Sequence, residues 1–240
     1  MQAIPPAPRI WQDHIASWNA QPGLALHPLA WACVALPLIA VHLGYALSIF
    51  HGTAPACLVY LQGCVSVSGA VREAPSIHLY RALALPAAGL TFLFWILATR
   101  WVQRLGGPRD RWMLACGLVG TAFLVLYAVM LGTDGALYAQ LRRYGIWFYF
   151  GLTFVAELLL TRQLLRLELG VAQGPVRVQD LLCRALLIIG LLSVPTTQLF
   201  EAKRVANALE WTGGLCMLLI IACVAEAWRR SGFRAELERG

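Results

Sequence analysis

The chain has 240 residues, 59% of them apolar and only 13% charged, with a net charge of +7. Soluble domains run at roughly 45–50% apolar and about 25% charged, so a soluble enzyme or nucleic-acid-binding domain is excluded on composition. The basic residues sit at the ends of apolar runs rather than in one patch, so the charge reports membrane topology and not a nucleic-acid partner.

Residues 1–27 read as a cytoplasmic interfacial segment. In "IWQDHIASWNA", Ile10, Trp11, Ile15 and Trp18 fall close to one helical face and Gln12 and Asp13 on another. A membrane domain follows over 28–228, with apolar runs at 28–50, 79–99, 112–131, 145–161, 181–199 and 208–228. Such runs suit a hydrocarbon core of about 30 Å. The first is too long for a signal-peptide core. Residues 229–240 read as a basic cytoplasmic tail. The predicted fold is all-α: a polytopic six-transmembrane-helix bundle with both termini cytoplasmic. Loop arginine and lysine divide about two to one in favour of that side.

The connectors are unequal. The first outer loop, 51–78, is long and unusually apolar in "ACLVYLQGCVSVSGA", which reads as a lid over the bundle mouth. Cys57 and Cys64 lie in it, on the oxidising side, and a loop-closing disulfide is expected; two buried thiols are the alternative. The second outer loop, "GTDGALYAQLRRYG", reads as a Thr133/Asp134 cap, then a short helix ahead of the fourth span. The inner connectors "RLGGPRDR" and "GVAQGPVRVQD" read as Gly-Pro turns.

Polar residues in spans are costly. His42, Tyr127, residues 195–198, Asn207, Glu210 and Trp211 all fall in the outer halves, under the long loop. An outward-facing polar cavity is expected there, with plain interhelical hydrogen bonds as the alternative. Arg81, Arg142, Arg143, Glu210, Trp211 and His42 are the candidates for binding a lipid or other ligand. Arginine matches phosphate geometry, which favours an anionic membrane lipid. Arg81 and Glu210 open their spans at matching depth and are expected to share one site. Glu157 lies in an inner half and is expected to pair with Arg100 or Arg104.

Ser66, Ser68, Glu73, His78 and Asp134 supply the residue types of a nucleophile, base and orienting acid for acyl transfer or hydrolysis. No G-x-S-x-G elbow fixes them, and loop serines commonly cap turns. The five histidines form no H-x-x-H, H-x-x-x-H or H-E-x-x-H arrangement, so no metal site is read, and no cofactor is indicated.

The loop "SVSGAVREAPSIHLYR", with Ser66, Ser68, Gly69, Pro75 and Arg81, and the segment "ALEWTGG", with Glu210 and Trp211, carry a resemblance. On these motifs, and over 28–228, the chain resembles the Frag/DRAM/Sfk family of six-span membrane proteins, which includes post-GPI-attachment lipid-remodelling factors. The resemblance implies a compact six-helix bundle concerned with lipids. The chain departs from it at Arg142-Arg143-Tyr144, where relatives often carry a His. An arginine-rich, nearly lysine-free composition looks bacterial, implying the inner membrane and removing GPI as a substrate. The expected function is lipid handling or homeostasis. A lipid-modifying enzyme at the outer leaflet and a partner subunit of a membrane complex are the alternatives.

Overall fold

Each apolar run falls on a long helix in the computed structural model, which describes residues 23–167, 169–198 and 203–236, with side chains except at 192–198 and 236. The expected interfacial helix over residues 10–18 and the polar side chains at 195–198 lie outside that description. In chain order the elements are β1 (Gly23–Ala25), α1 (His27–Phe50), the short α2 (Val59–Gln62) and α3 (Val67–Ala70), α4 (Ser76–Arg104), α5 (Arg111–Met130) and α6 (Ala136–Arg166). A 3₁₀ turn (Gly170–Ala172), α7 (Gln173–Gln198), α8 (Lys203–Ser231) and β2 (Arg234–Glu236) complete it. Helix is the economical state for an apolar run in lipid, because every backbone N–H and C=O finds its partner within the segment. Among the described residues five helices, α1, α4, α5, α6 and α8, are long and apolar enough to cross a bilayer. The chain is an integral, multi-pass membrane protein.

Local chemistry sets the helix ends. Pro28 occupies the first turn of α1, where its missing N–H leaves no bond unmade. Asp110 caps α5, accepting from the backbone N–H of Trp112 (2.9 Å) and Met113 (3.1 Å). Two expectations are corrected. The segment after Gly135 is no separate short helix: α6 begins at Ala136 and runs unbroken to Arg166, with Thr133 and Asp134 outside it. Gly145 is a contact point rather than a boundary, since a Cβ there would stand 3.1 Å from the Tyr127 backbone nitrogen on α5. Nor is "GVAQGPVRVQD" only a turn, because Gly174 and Pro175 fall in the first turn of α7, where proline is tolerated.

The long helices form a closed ring. Each of α4, α5, α6, α7 and α8 packs on the long helix before it, and α8 returns to α1. β1 and β2 pair antiparallel, Gly23 opposite Glu236 and Ala25 opposite Arg234, so the foot of α1 and the end of α8 meet at one end of the bundle. The buried side chains divide into an aromatic cluster at this strand end, a second cluster beneath α2 and α3 at the lid end and a small third one of Cys183, Leu186, Met217 and Ile220 between α7 and α8.

Candidate functional site: a cavity under a tethered lid

The loop over the bundle is held from two helices. Cys57 and Cys64 are joined by a disulfide with their Cα atoms 6.4 Å apart. Tyr45 of α1 reaches the same turn, its hydroxyl donating to the Pro55 carbonyl (2.8 Å) and accepting the Cys57 N–H (3.1 Å). Ser48, buried one turn further along α1, donates to the Ala70 carbonyl (2.7 Å) and bonds the Ser76 hydroxyl (2.7 Å). From the other side come Asn207, Glu210 and Trp211, which share one face of α8 by their i, i+3, i+4 spacing. Asn207 Nδ2 donates to Gly63 O (2.9 Å) and Trp211 Nε1 to Val65 O (3.0 Å). The Glu210 carboxyl faces the backbone amides of Val67 and Ser68. Gly63 makes this seat possible. It has φ +53°, and a Cβ there would overlap the Arg204 carbonyl and stand 2.9 Å from the Ala208 nitrogen.

Beneath the lid lies a cavity of about 100 Å³, walled by α1, α4, α5, α6, α8 and the lid itself. His42, Tyr60, Tyr80, Tyr127, Tyr149 and Trp211 contribute polar atoms on otherwise apolar walls, and Glu210 is its one charged lining residue among the described residues. The Leu38 carbonyl can only accept, so His42 Nδ1, 2.8 Å away, carries its proton. In the neutral ring Nε2 then accepts from the Tyr60 hydroxyl at 2.9 Å. Burial pushes the Tyr60 phenol above its ordinary value, so it keeps the proton it donates. The Trp211 ring centroid lies 5.5 Å from His42, 5.7 Å from Tyr60 and 5.9 Å from Tyr45.

Of the six residues nominated for binding, His42, Glu210 and Trp211 line this cavity. Arg81 does not share a site with Glu210. Its guanidinium donates to the carbonyls of Ala128 (3.2 Å), Val129 (2.9 Å) and Leu131 at the end of α5, the orphan acceptors a helix terminus presents. Arg142 is half-buried and does not line the cavity. Arg143 is exposed and lies 6.0 Å over the Trp147 ring.

The catalytic candidates do not assemble. Ser66 caps α3, its Oγ accepting from the Gly69 N–H (3.1 Å) and lying 3.2 Å from Ser68 Oγ. Glu73, His78 and Asp134 are exposed, and no hydrogen bond among the described residues links them to either serine. Glu157 is 1% exposed and neither carboxylate oxygen has a hydrogen-bond partner among the described residues; the expected pair with Arg100 or Arg104 is not formed. The histidine, cysteine and acidic side chains gather into no metal-binding group among the described residues.

No family model, curated protein or solved structure matches the chain. Tyr45, Tyr60 and Gly63 were not legible as site residues. Tyrosines near a span end look like ordinary interfacial anchors. The one available signal at Gly63 is its place directly before a lid cysteine.

Proposed function

We propose that the chain is a lipid-handling membrane protein whose lidded cavity receives part of a membrane lipid, without chemistry of its own. One observation carries this reading: a cavity among membrane helices, closed by a tethered lid, with neither nominated serine among its described lining residues. The rest of the proposal follows. α7 crosses the bilayer as a sixth span, as its place between α6 and α8 favours, and the meeting of β1 with β2 at one end supports an even number of crossings. Both ends are cytoplasmic, the membrane is a bacterial inner membrane, and kinship with the Frag/DRAM/Sfk family rests on the lid and α8 motifs. Arg142 and Arg143 stand at the mouth for a lipid phosphate.

The test is native mass spectrometry of protein taken gently from membranes. Wild type and a Ser66→Ala/Ser68→Ala/His78→Ala variant should both retain a phospholipid. A deletion strain whose acyl or head-group profile is restored by wild type but not by that variant would instead establish an enzyme. A protein without lipid but with a stable protein companion would establish the subunit. For orientation, Ser68→Cys and Asp134→Cys in a cysteine-depleted background should react with an impermeant reagent from outside. Gly107→Cys and Gly174→Cys should react only after permeabilisation.

A further inference from the structure

The sign of the cavity narrows its ligand further. We propose that it selects an ammonium group, primary or methylated, rather than a phosphate; this rests on the lipid-binding reading above. No arginine or lysine lines the cavity among the described residues, and its one charge is the Glu210 carboxylate. The same cavity is lined by Trp211, Tyr60, His42, Tyr127, Tyr80 and Tyr149. Aromatic faces carry negative potential and attract cations, and such walls are how proteins hold quaternary ammonium groups. A phosphate there would meet a carboxylate and π-faces, both repulsive. An ammonium would meet two attractions.

The remaining geometry agrees. The Val67 and Ser68 amides face Glu210, but an ionised carboxylate has about four lone-pair sites, which leaves capacity for a ligand donor. His42 has both ring nitrogens engaged, with Leu38 O and Tyr60, and serves as wall. The cavity of about 100 Å³ is smaller than the roughly 150 Å³ that admits a benzene. It therefore suits a compact head group and not an acyl chain. Arg72 and Arg142 stay outside the lining, so a zwitterionic phospholipid would place its ammonium at Glu210 and its phosphate outside the cavity.

The experiment compares phosphatidylethanolamine, phosphatidylcholine and phosphatidylglycerol of equal acyl composition on the full chain by native mass spectrometry. Free choline and ethanolamine are followed separately by quenching of tryptophan fluorescence. At least one amino-lipid should be retained about ten-fold over phosphatidylglycerol, and Glu210→Gln should abolish the preference while keeping the wild-type unfolding temperature. Equal or greater retention of phosphatidylglycerol overturns the ammonium assignment and leaves lipid binding standing. Binding of the free amines with no phospholipid retained keeps the ammonium site and overturns the lipid reading. Failure of all of these ligands to bind overturns both. The wild-type comparison decides the matter even where Glu210→Gln fails to fold.

Discussion

The two ends of the bundle are held by different means. At the strand end, Trp228 lies 5.4 Å from Phe94, 6.1 Å from Trp101 and 5.1 Å from Phe233 by ring centroid. Gly117 lies so close to the Trp95 ring that a Cβ there would overlap it. The indole N–H groups of Trp95, Trp101 and Trp228 have no hydrogen-bond partner among the described residues, so shape specifies how these rings pack, beside the backbone pairing of β1 with β2. The lid end is specified by polar groups: Tyr45, Ser48, Asn207 and Trp211 all bind lid backbone. In lipid, apolar side chains gain little simply by leaving the solvent, and close packing and interhelical hydrogen bonds decide instead. The strand end uses the first and the lid end the second. A lid that must admit a ligand is better served by discrete bonds than by interlocked rings.

The largest effect is expected where packing alone acts. Trp228→Ala should lower stability by about 3–5 kcal/mol, the usual result of emptying a large aromatic site, read as a fall in Tm in detergent. Below the new Tm the lid should still resist protease and the lipid should still be retained. Loss of both in the folded variant would mean that the two ends are one cooperative unit. The next effect belongs to the lid. Cys57 and Cys64 are seven positions apart, and loop-closure entropy for so short a loop gives about 2.5 kcal/mol. Cys57→Ser/Cys64→Ser should hasten limited proteolysis of the lid while leaving the Trp228 environment unchanged in near-ultraviolet circular dichroism. A lid as resistant as wild type would show that the side-chain tethers suffice.

How much of this the sequence could carry follows from the same contrast. A long apolar run in lipid has one economical state, so the cores of the long helices were legible. Their ends were not: α6 starts at Ala136 rather than near residue 145, because a helix continues through polar residues once its axis is set. Glu210, Trp211 and His42 stood out because polar residues in spans are rare. The partner of Arg81 could not be read, since the free carbonyls ending α5 are backbone groups with no residue signature. The loop serines, His78 and Asp134 were chemically plausible together, but their separation is a property of the fold alone.

Gly63 sharpens the comparison at a single atom. Gly63→Ala should destabilise by about 2 kcal/mol, combining a left-handed backbone position with a Cβ pressed onto the Arg204 carbonyl. The damage should be local. Faster reduction of the Cys57–Cys64 disulfide by an exposed thiol reagent is the expected readout, with the strand-end aromatic signal intact. If reduction proceeds at the wild-type rate, the approach of the lid to α8 does not depend on glycine.

The smallest change separates hydrogen bonding from packing within one residue. Trp211→Phe keeps an aromatic ring against His42 and Tyr60 but removes the N–H that Val65 O accepts at 3.0 Å. A net hydrogen bond contributes about 1 kcal/mol, and an acceptor left unpaired under the lid costs a similar amount or somewhat more. A fall in Tm of a few degrees is therefore expected, with lid proteolysis accelerated several-fold. The cavity walls should still bind an ammonium ligand, somewhat more weakly, because a Phe face attracts a cation less than an indole face does. If Trp211→Phe instead leaves lid proteolysis unchanged while ligand binding falls more than about ten-fold, Trp211 belongs to the cavity alone. The lid would then be held to α8 by Asn207 and Glu210, and its polar attachment to that helix would rest on two side chains rather than three.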